Sequence, residues 1–368
     1  MSFLRVLFPG LLLLAPAVQA KPEAAVLAAC LDRQFAALAF DPATDVGLSV
    51  AMLPMQADWS WQGARGLADK ATNDALTPAH GFRIASITKT YTAAAVLRLV
   101  EQGRLGLDEP IARHLPADMV STLARGGYDP DAIRLRHLLN HTSGLREHVT
   151  EAFLASHGQG TRTTPGEQVR LAMDAGAPLA APGVAFHYSD TGYVLLGTIV
   201  ERSTGQPLHV AMRELQDWGR RGLANTGFET LEPLRMPRAH QYWQGRDTFG
   251  WHPSFDLYGG GGIVATPADT AVFLRGLLSG ALFEKPESLA FMRTPGVEGA
   301  WNQYGAGLFE LMVDGEPMTG HSGFWNTFVF LSPADGVIIA GAVGEKTAQP
   351  YGPLLGQLRG AYRSCTQG

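Results

Sequence analysis

The sequence has only two cysteines in 368 residues, no run of one charge sign, and little length of uninterrupted apolar chain. A membrane-spanning helix needs about 18 such residues. Beyond the first twenty residues the best run is Val337 to Val343, which is strand-length and rich in β-branched side chains. No transmembrane segment is therefore expected downstream of the leader. Basic residues number 29 against 34 acidic ones, a formal net charge of −5. A nucleic-acid partner would need a basic footprint, and none is visible. Internal repeats and low-complexity segments are absent as well.

The opening residues carry the marks of export. Arg5 gives a positive start, 6–16 is a short apolar core containing four consecutive leucines, and Val18-Gln19-Ala20 offers small residues at −3 and −1. Residues 1–20 are expected to be a cleaved signal peptide, leaving a periplasmic or secreted chain whose net charge moves to about −6 once Arg5 is gone. A lipoprotein box, Leu27-Ala28-Ala29-Cys30, competes with this reading. Lys21, Pro22 and Glu23 separate it from the apolar core, which disfavours lipidation of Cys30. In an oxidising compartment the even cysteine count invites a Cys30–Cys365 disulfide; two unrelated buried thiols are the other reading.

Periodicity predicts a helix over 24–40, with Val26, Leu27, Leu31, Phe35 and Leu38 near one face. Two strands of a hairpin follow at 46–53 and 58–66. A helix is expected over 86–102, stopped by Gly103. The middle reads as short helices, among them 131–140 and 193–203. Further on come a helix at 270–278, strand-like runs at 307–313, 325–331 and 337–343, and a last helix at 353–362. This order suggests an α+β protein: a discontinuous sheet domain (21–85 and 245–368) with an inserted, mainly helical domain (86–244).

Three short motifs carry chemistry. In Ser86-Ile87-Thr88-Lys89 the i, i+3 spacing puts the lysine amine within reach of the serine hydroxyl. A lysine with a burial-lowered pKa can deprotonate a serine without histidine. A helix start at Ser86 would also aim free N–H groups at an oxyanion. Tyr188-Ser189-Asp190 offers a proton shuttle, if a neighbouring cation lowers the phenol pKa, and a carboxylate that can pair with Lys89. In Gly320-His321-Ser322-Gly323, the small Gly323 would let a strand edge approach substrate and let the Phe324 N–H point into a site. Each has an ordinary structural explanation alone; S-x-x-K arises by chance roughly once or twice in a chain this long.

Taken in order, the three motifs resemble the signature of penicillin-recognising serine hydrolases. Flanking stretches are similar to the β-lactamase-related branch, which includes class C enzymes, D-alanyl-D-alanine carboxypeptidases and esterases. They are 101–108, Leu138-Leu139-Asn140-His141-Thr142-Ser143-Gly144-Leu145, Tyr193-Val194-Leu195-Leu196-Gly197, 260–269 and 320–325. The resemblance implies a β-lactamase/transpeptidase-like fold: an antiparallel sheet flanked by the terminal helices, plus a helical domain. It also implies an acyl-enzyme mechanism without a metal or other cofactor. Ser86 would be the nucleophile, Lys89 its base and Tyr188 the proton carrier, with the amides of Ser86 and Phe324 as oxyanion hole. His321 stands where many relatives carry lysine, and Asp190 where asparagine is common. With Ser322, Gly323 and Phe324, these two would contact a small-molecule or peptide substrate: a β-lactam, a D-amino-acid peptide or an ester. In the implied fold the terminal helices lie side by side, which would bring Cys30 near Cys365.

Other readings fare worse. An α/β-hydrolase elbow at Ser322 fails because Phe324 stands where glycine is needed. His137, His141 and His148 could suggest a metal, but Leu138 occupies the glutamate position of a zincin helix. A non-catalytic peptidoglycan or peptide sensor that kept the fold is the remaining alternative; covalent labelling by a fluorescent penicillin or a fluorophosphonate discriminates it.

Overall fold

The computed structural model describes residues 24–39, 46–346 and 351–366, so the expected leader lies outside the described residues. Helix α1 (Ala24–Ala37) precedes strands β1 (Gly47–Pro54), β2 (Trp61–Asp69) and β3 (Asp74–Ala75). Helix α2 (Thr88–Glu101) follows, then short helices such as Ala117–Arg125, Glu151–His157 and Pro165–Asp174, and the longer α3 (Asp190–Thr204). After α4 (Pro267–Leu278) come β4 (Phe309–Val313), β5 (Glu316–Gly323), β6 (Thr327–Ser332) and β7 (Val337–Val343), and finally helix α5 (Gly352–Thr366). Early and late strands meet in one antiparallel sheet of order β3-β2-β1-β7-β6-β5-β4.

All eight residues of β1 are buried, because helices cover both faces of the sheet. Successive side chains of a strand point to opposite faces. Leu53, Val329, Ile338 and Ala340 therefore join the core that holds Ala271, Leu274 and Leu277 of α4. Val50, Met52, Phe328, Phe330 and Ile339 join Leu27, Leu31 and Phe35 of α1 with Leu355 and Leu358 of α5. Each such aliphatic side chain, fully buried, contributes about 1.5–3 kcal/mol. Val26, expected on the buried stripe of α1, is 59% exposed.

Helices α1 and α5 lie together, and Cys30 is bonded to Cys365 across a Cα–Cα distance of 5.7 Å. A bonded Cys30 has no thiol left to carry a lipid. The bond fits an oxidising, extracytoplasmic setting. Among the described residues no helix is long and apolar enough to cross a membrane.

Several boundaries differ from the expected ones. The helix expected from residue 86 is a 3-10 turn at Ala85–Ile87 followed by α2. The helix expected at 131–140 is only Leu135–Leu139. Helix α3 starts at Asp190 because the Ser189 hydroxyl accepts the Gly192 N–H, and it stops at Gly205, which adopts φ 72°. The His-Ser-Gly motif ends its own strand, β5.

Candidate active site

Residues 81–90 are buried except Ser86, which stands in the turn between a buried two-residue strand (Phe82–Arg83) and α2. Ala85 ahead of it adopts φ 46°, a left-handed conformation that costs a non-glycine residue energy. Surrounding contacts hold the turn in place. The Ile84 N–H donates to Ile263 O at 3.0 Å, and the Thr327 hydroxyl donates to Ile84 O at 3.1 Å. A Cβ on Gly323 would lie 2.2 Å from Ile84 O. Glycine at 323 is thus required for β5 to press against the Ser86 turn.

Lys89, one helical turn on, is fully buried. Its ammonium donates to Ser86 Oγ at 3.0 Å, to Gly260 O at 2.9 Å and to the Asp190 carboxylate. Three donors meet three acceptors. Burial alone would pull the lysine pKa down, but Asp190 and Tyr188 outweigh it and the pKa lies above its ordinary value. This overturns the expectation of a burial-lowered base: Lys89 rests as an ammonium. Tyr188 stands beside Lys89, whose ammonium lies 5.1 Å from the centre of the phenol ring, yet burial pushes that phenol up to about 12 against the pull of Lys89. The expected lowering does not occur, and Tyr188 keeps its proton.

The segment 141–147 clamps the Tyr-Ser-Asp turn. The His187 N–H donates to His141 O at 2.8 Å and the Ser189 N–H to His141 Nδ1 at 3.1 Å. The Asp190 N–H donates to Glu147 Oε2 at 2.6 Å. The ring of His141 packs 4.2 Å from that of Tyr188. His137 accepts the Arg134 N–H, and His148 Nδ1 lies 2.9 Å from the Thr191 hydroxyl, so these histidines hold helices and turns together. On the far side the glycine cluster at 259–262 brings backbone against the charges: a Cβ on Gly260 would meet Asp190 Oδ1 at 3.2 Å, and one on Gly261 would meet Asp256 Oδ1 at 2.0 Å. Glu147 and Asp256 escaped the sequence reading. Glu147 lies two residues past a quoted motif stretch; nothing local marks Asp256.

His321 lines the site as a buried ring. Its Nδ1 lies 2.7 Å from Ser322 O and so carries the proton, while Nε2 accepts the Tyr304 hydroxyl at 3.0 Å. Burial, reinforced by Lys89, pushes its pKa down to about 3. A neutral ring with both nitrogens engaged offers no cation to a substrate carboxylate. The amides of Ser86 and Phe324 are not used in the loop and turn hydrogen bonds.

Above Ser86 opens a cavity of about 630 Å³. Tyr188, Asp190, Asp256, His321, Ser322, Gly323 and Phe324 line it with Ser86, so the expected site residues come together, Lys89 lying beneath Ser86. Its walls are largely aromatic, including Phe186, Phe255, Trp301, Phe309 and Trp325.

Comparison with known proteins agrees with this architecture. Esterase EstB of Burkholderia gladioli is 38% identical over 222 residues, which cover 58% of this chain and 55% of the esterase. Penicillin-binding protein 4* of Bacillus subtilis is 34% identical over 125 residues, covering 34% of this chain and 25% of that protein. The chain thus spans little more than half the length of the first of these relatives and a quarter of the second. Among solved structures, D-amino acid amidase from Ochrobactrum anthropi SV3 superposes with a TM-score of 0.75 at 25% identity, covering 92% of this chain and 98% of the amidase. EstCE1, described as a hydrolase with promiscuous acyltransferase activity, gives a TM-score of 0.68 at 23% identity and shares the fold. The sequence model of the beta-lactamase family matches residues 34–355, most of the chain, and the chain belongs to that family.

Proposed function

We propose that the protein is an exported serine hydrolase that cleaves an ester or amide through an acyl-enzyme on Ser86. The observation that carries this is the Ser86 hydroxyl, 3.0 Å from the Lys89 ammonium at the floor of an aromatic cavity. Lys89 rests protonated, so it accepts the serine proton only as it passes one of its own to the Asp190 carboxylate that it touches. Ser86 Oγ then bonds to the substrate carbonyl carbon, and the amides of Ser86 and Phe324 receive the oxyanion. Tyr188, with its raised pKa, gives its proton to the leaving group as the carbonyl bond to that group breaks, and recovers one from the Lys89–Asp190 pair. Water repeats the sequence to release the acid.

The neutral His321 favours esters and amides that lack a carboxylate at this wall over carboxylated β-lactams. Support for export comes from the leader-like residues 1–20 and the disulfide. A fluorophosphonate should label the protein once, at Ser86. Ser86→Ala should abolish the label with the melting temperature unchanged, and Ser322→Ala should keep it. Labelling lost in Ser322→Ala but kept in Ser86→Ala would assign the wrong nucleophile.

A further inference from the structure

The cavity wall comes from two separate apolar clusters. Phe186, Tyr188, Phe309 and Tyr351 line it as the rim of the core under α1 and α5. Leu154, Phe255, Phe324 and Trp325 line it from another cluster, which also contains Ala85, the residue before Ser86. A leaving group that takes its proton from Tyr188 lies along the first half. With the oxyanion at the amides of Ser86 and Phe324, the acyl chain is left to the second.

Lys346 stands on that second half. Its ammonium lies 5.3 Å from the centre of the Phe324 ring, which packs against the rings of Trp243 and Trp325 at 6.1 and 4.9 Å. The backbone there is fixed: Lys346 pairs with Trp243, and the Asn326 side-chain amide donates to Glu345 O at 3.1 Å. Adjacent side chains of a strand point opposite ways. Glu345 accordingly turns to Lys70, at 2.9 Å, while Lys346 lines the cavity. Among the described residues Lys346 makes no ion pair. The carboxyls of the lining, Asp190 and Asp256, stand against Gly260 and Gly261, beside Lys89. Apart from the neutral His321, Lys346 is the one basic side chain among the described residues that line the cavity. Burial holds its pKa below the ordinary lysine value, a cost that a nearby opposite charge offsets.

We propose that Lys346 recognises a carboxylate at the far end of the substrate's acyl chain, so that the substrate is a half-ester or half-amide of a dicarboxylic acid with its apolar chain along Phe255, Phe324 and Trp325. This rests on the hydrolase reading above. Hydrolysis breaks only the bond between the carbonyl carbon and the leaving group; water supplies the hydroxyl and the proton, and the distal carboxylate is unchanged. An ammonium resting on an aromatic face keeps N–H donors for a carboxylate, and the hydrogen bond between two charged groups is of the strong kind. His321 packs against Tyr304 and Phe309 on the other half and is neutral, so it does not compete for that carboxylate.

The test compares the monomethyl esters of the straight-chain dicarboxylic acids from succinate to suberate with their ester amides, in which a neutral carboxamide replaces the carboxylate. It is run at about pH 7, where the free carboxyl is ionised. At one chain length the acid should be cleaved with kcat/KM roughly ten-fold above its amide, the size of one charge-assisted hydrogen bond. That length reports the reach from Ser86 to Lys346. In Lys346→Met the margin should close, and in Lys346→Arg it should remain; a merely structural lysine would change both substrates alike. Acetate esters of ω-hydroxy acids carry the carboxylate on the leaving group and should show no such margin over their amides. Amides cleaved as fast as the acids, or faster, at every length by the wild-type protein overturn the proposal, whether or not the variants fold. A margin kept in a folded Lys346→Met protein, or one found only with the acetate esters, also overturns it. Fluorophosphonate labelling of Ser86 without carboxylate preference leaves the hydrolase reading standing; no labelling and no cleavage sinks both.

Discussion

A buried lysine ordinarily loses its proton, because a low-dielectric surround penalises the ammonium. At Lys89 the neighbouring carboxylate reverses that outcome, and the direction can be tested through the rate. Asp190→Asn removes the contact that raises the lysine pKa most and leaves burial pulling it down. Free amine then forms at lower pH. The alkaline rise of kcat/KM should move toward neutrality, measured with one neutral ester across the pH range. A profile that does not move would show that the Asp190 contact does not govern the base. The same substitution removes the acceptor for the relayed proton, so the plateau rate should fall as the rise shifts. At His321 the position was readable from the motif and the chemistry was not: its neutrality follows from burial beside Lys89, which only the folded chain brings near it.

Strand β5 shows what sequence patterns can and cannot convey about elements. Val337 to Val343 reads as a strand and is one, because a β-branched run buried on both faces has no competing pattern. Glu316–Gly323 holds Pro317, Gly320 and Gly323 and shows no alternation, so it reads as a turn although it pairs with both β4 and β6. Its glycines answer to close approach: a Cβ on Gly320 would lie 1.9 Å from Val329 O. The S-x-x-K spacing was legible because both partners lie within one turn. Asp256 and Glu147 were not, since only the folded chain brings them to Lys89. Gly323→Ala should push β5 off the Ser86 turn, cost about 1–3 kcal/mol by overpacking, and slow fluorophosphonate labelling. Gly219→Ala, where a Cβ would meet nothing within 4 Å, is the control and should stay within about 0.5 kcal/mol of wild type. Equal labelling rates in the two variants would remove Gly323 from the positioning of the nucleophile.

The molecule is assembled from its two ends. Strands from 47–75 and from 309–343 share one sheet, and α1 and α5 pack on the same face of it. The Cys30–Cys365 bond joins those helices over a sequence separation of 335. Loop-entropy reasoning credits such a closure with up to about 5 kcal/mol. Reduction should lower the melting temperature while leaving hydrolysis at low temperature unchanged, because the bond lies on the helix face and Ser86 lies in the cavity. Two titratable thiols in the denatured, unreduced protein would contradict the bond. Between residues 30 and 365 the chain is a covalent ring. One peptide cut anywhere in that ring opens it without dividing it, so a protease that nicks a single surface loop leaves both pieces on one continuous thread until the disulfide is reduced.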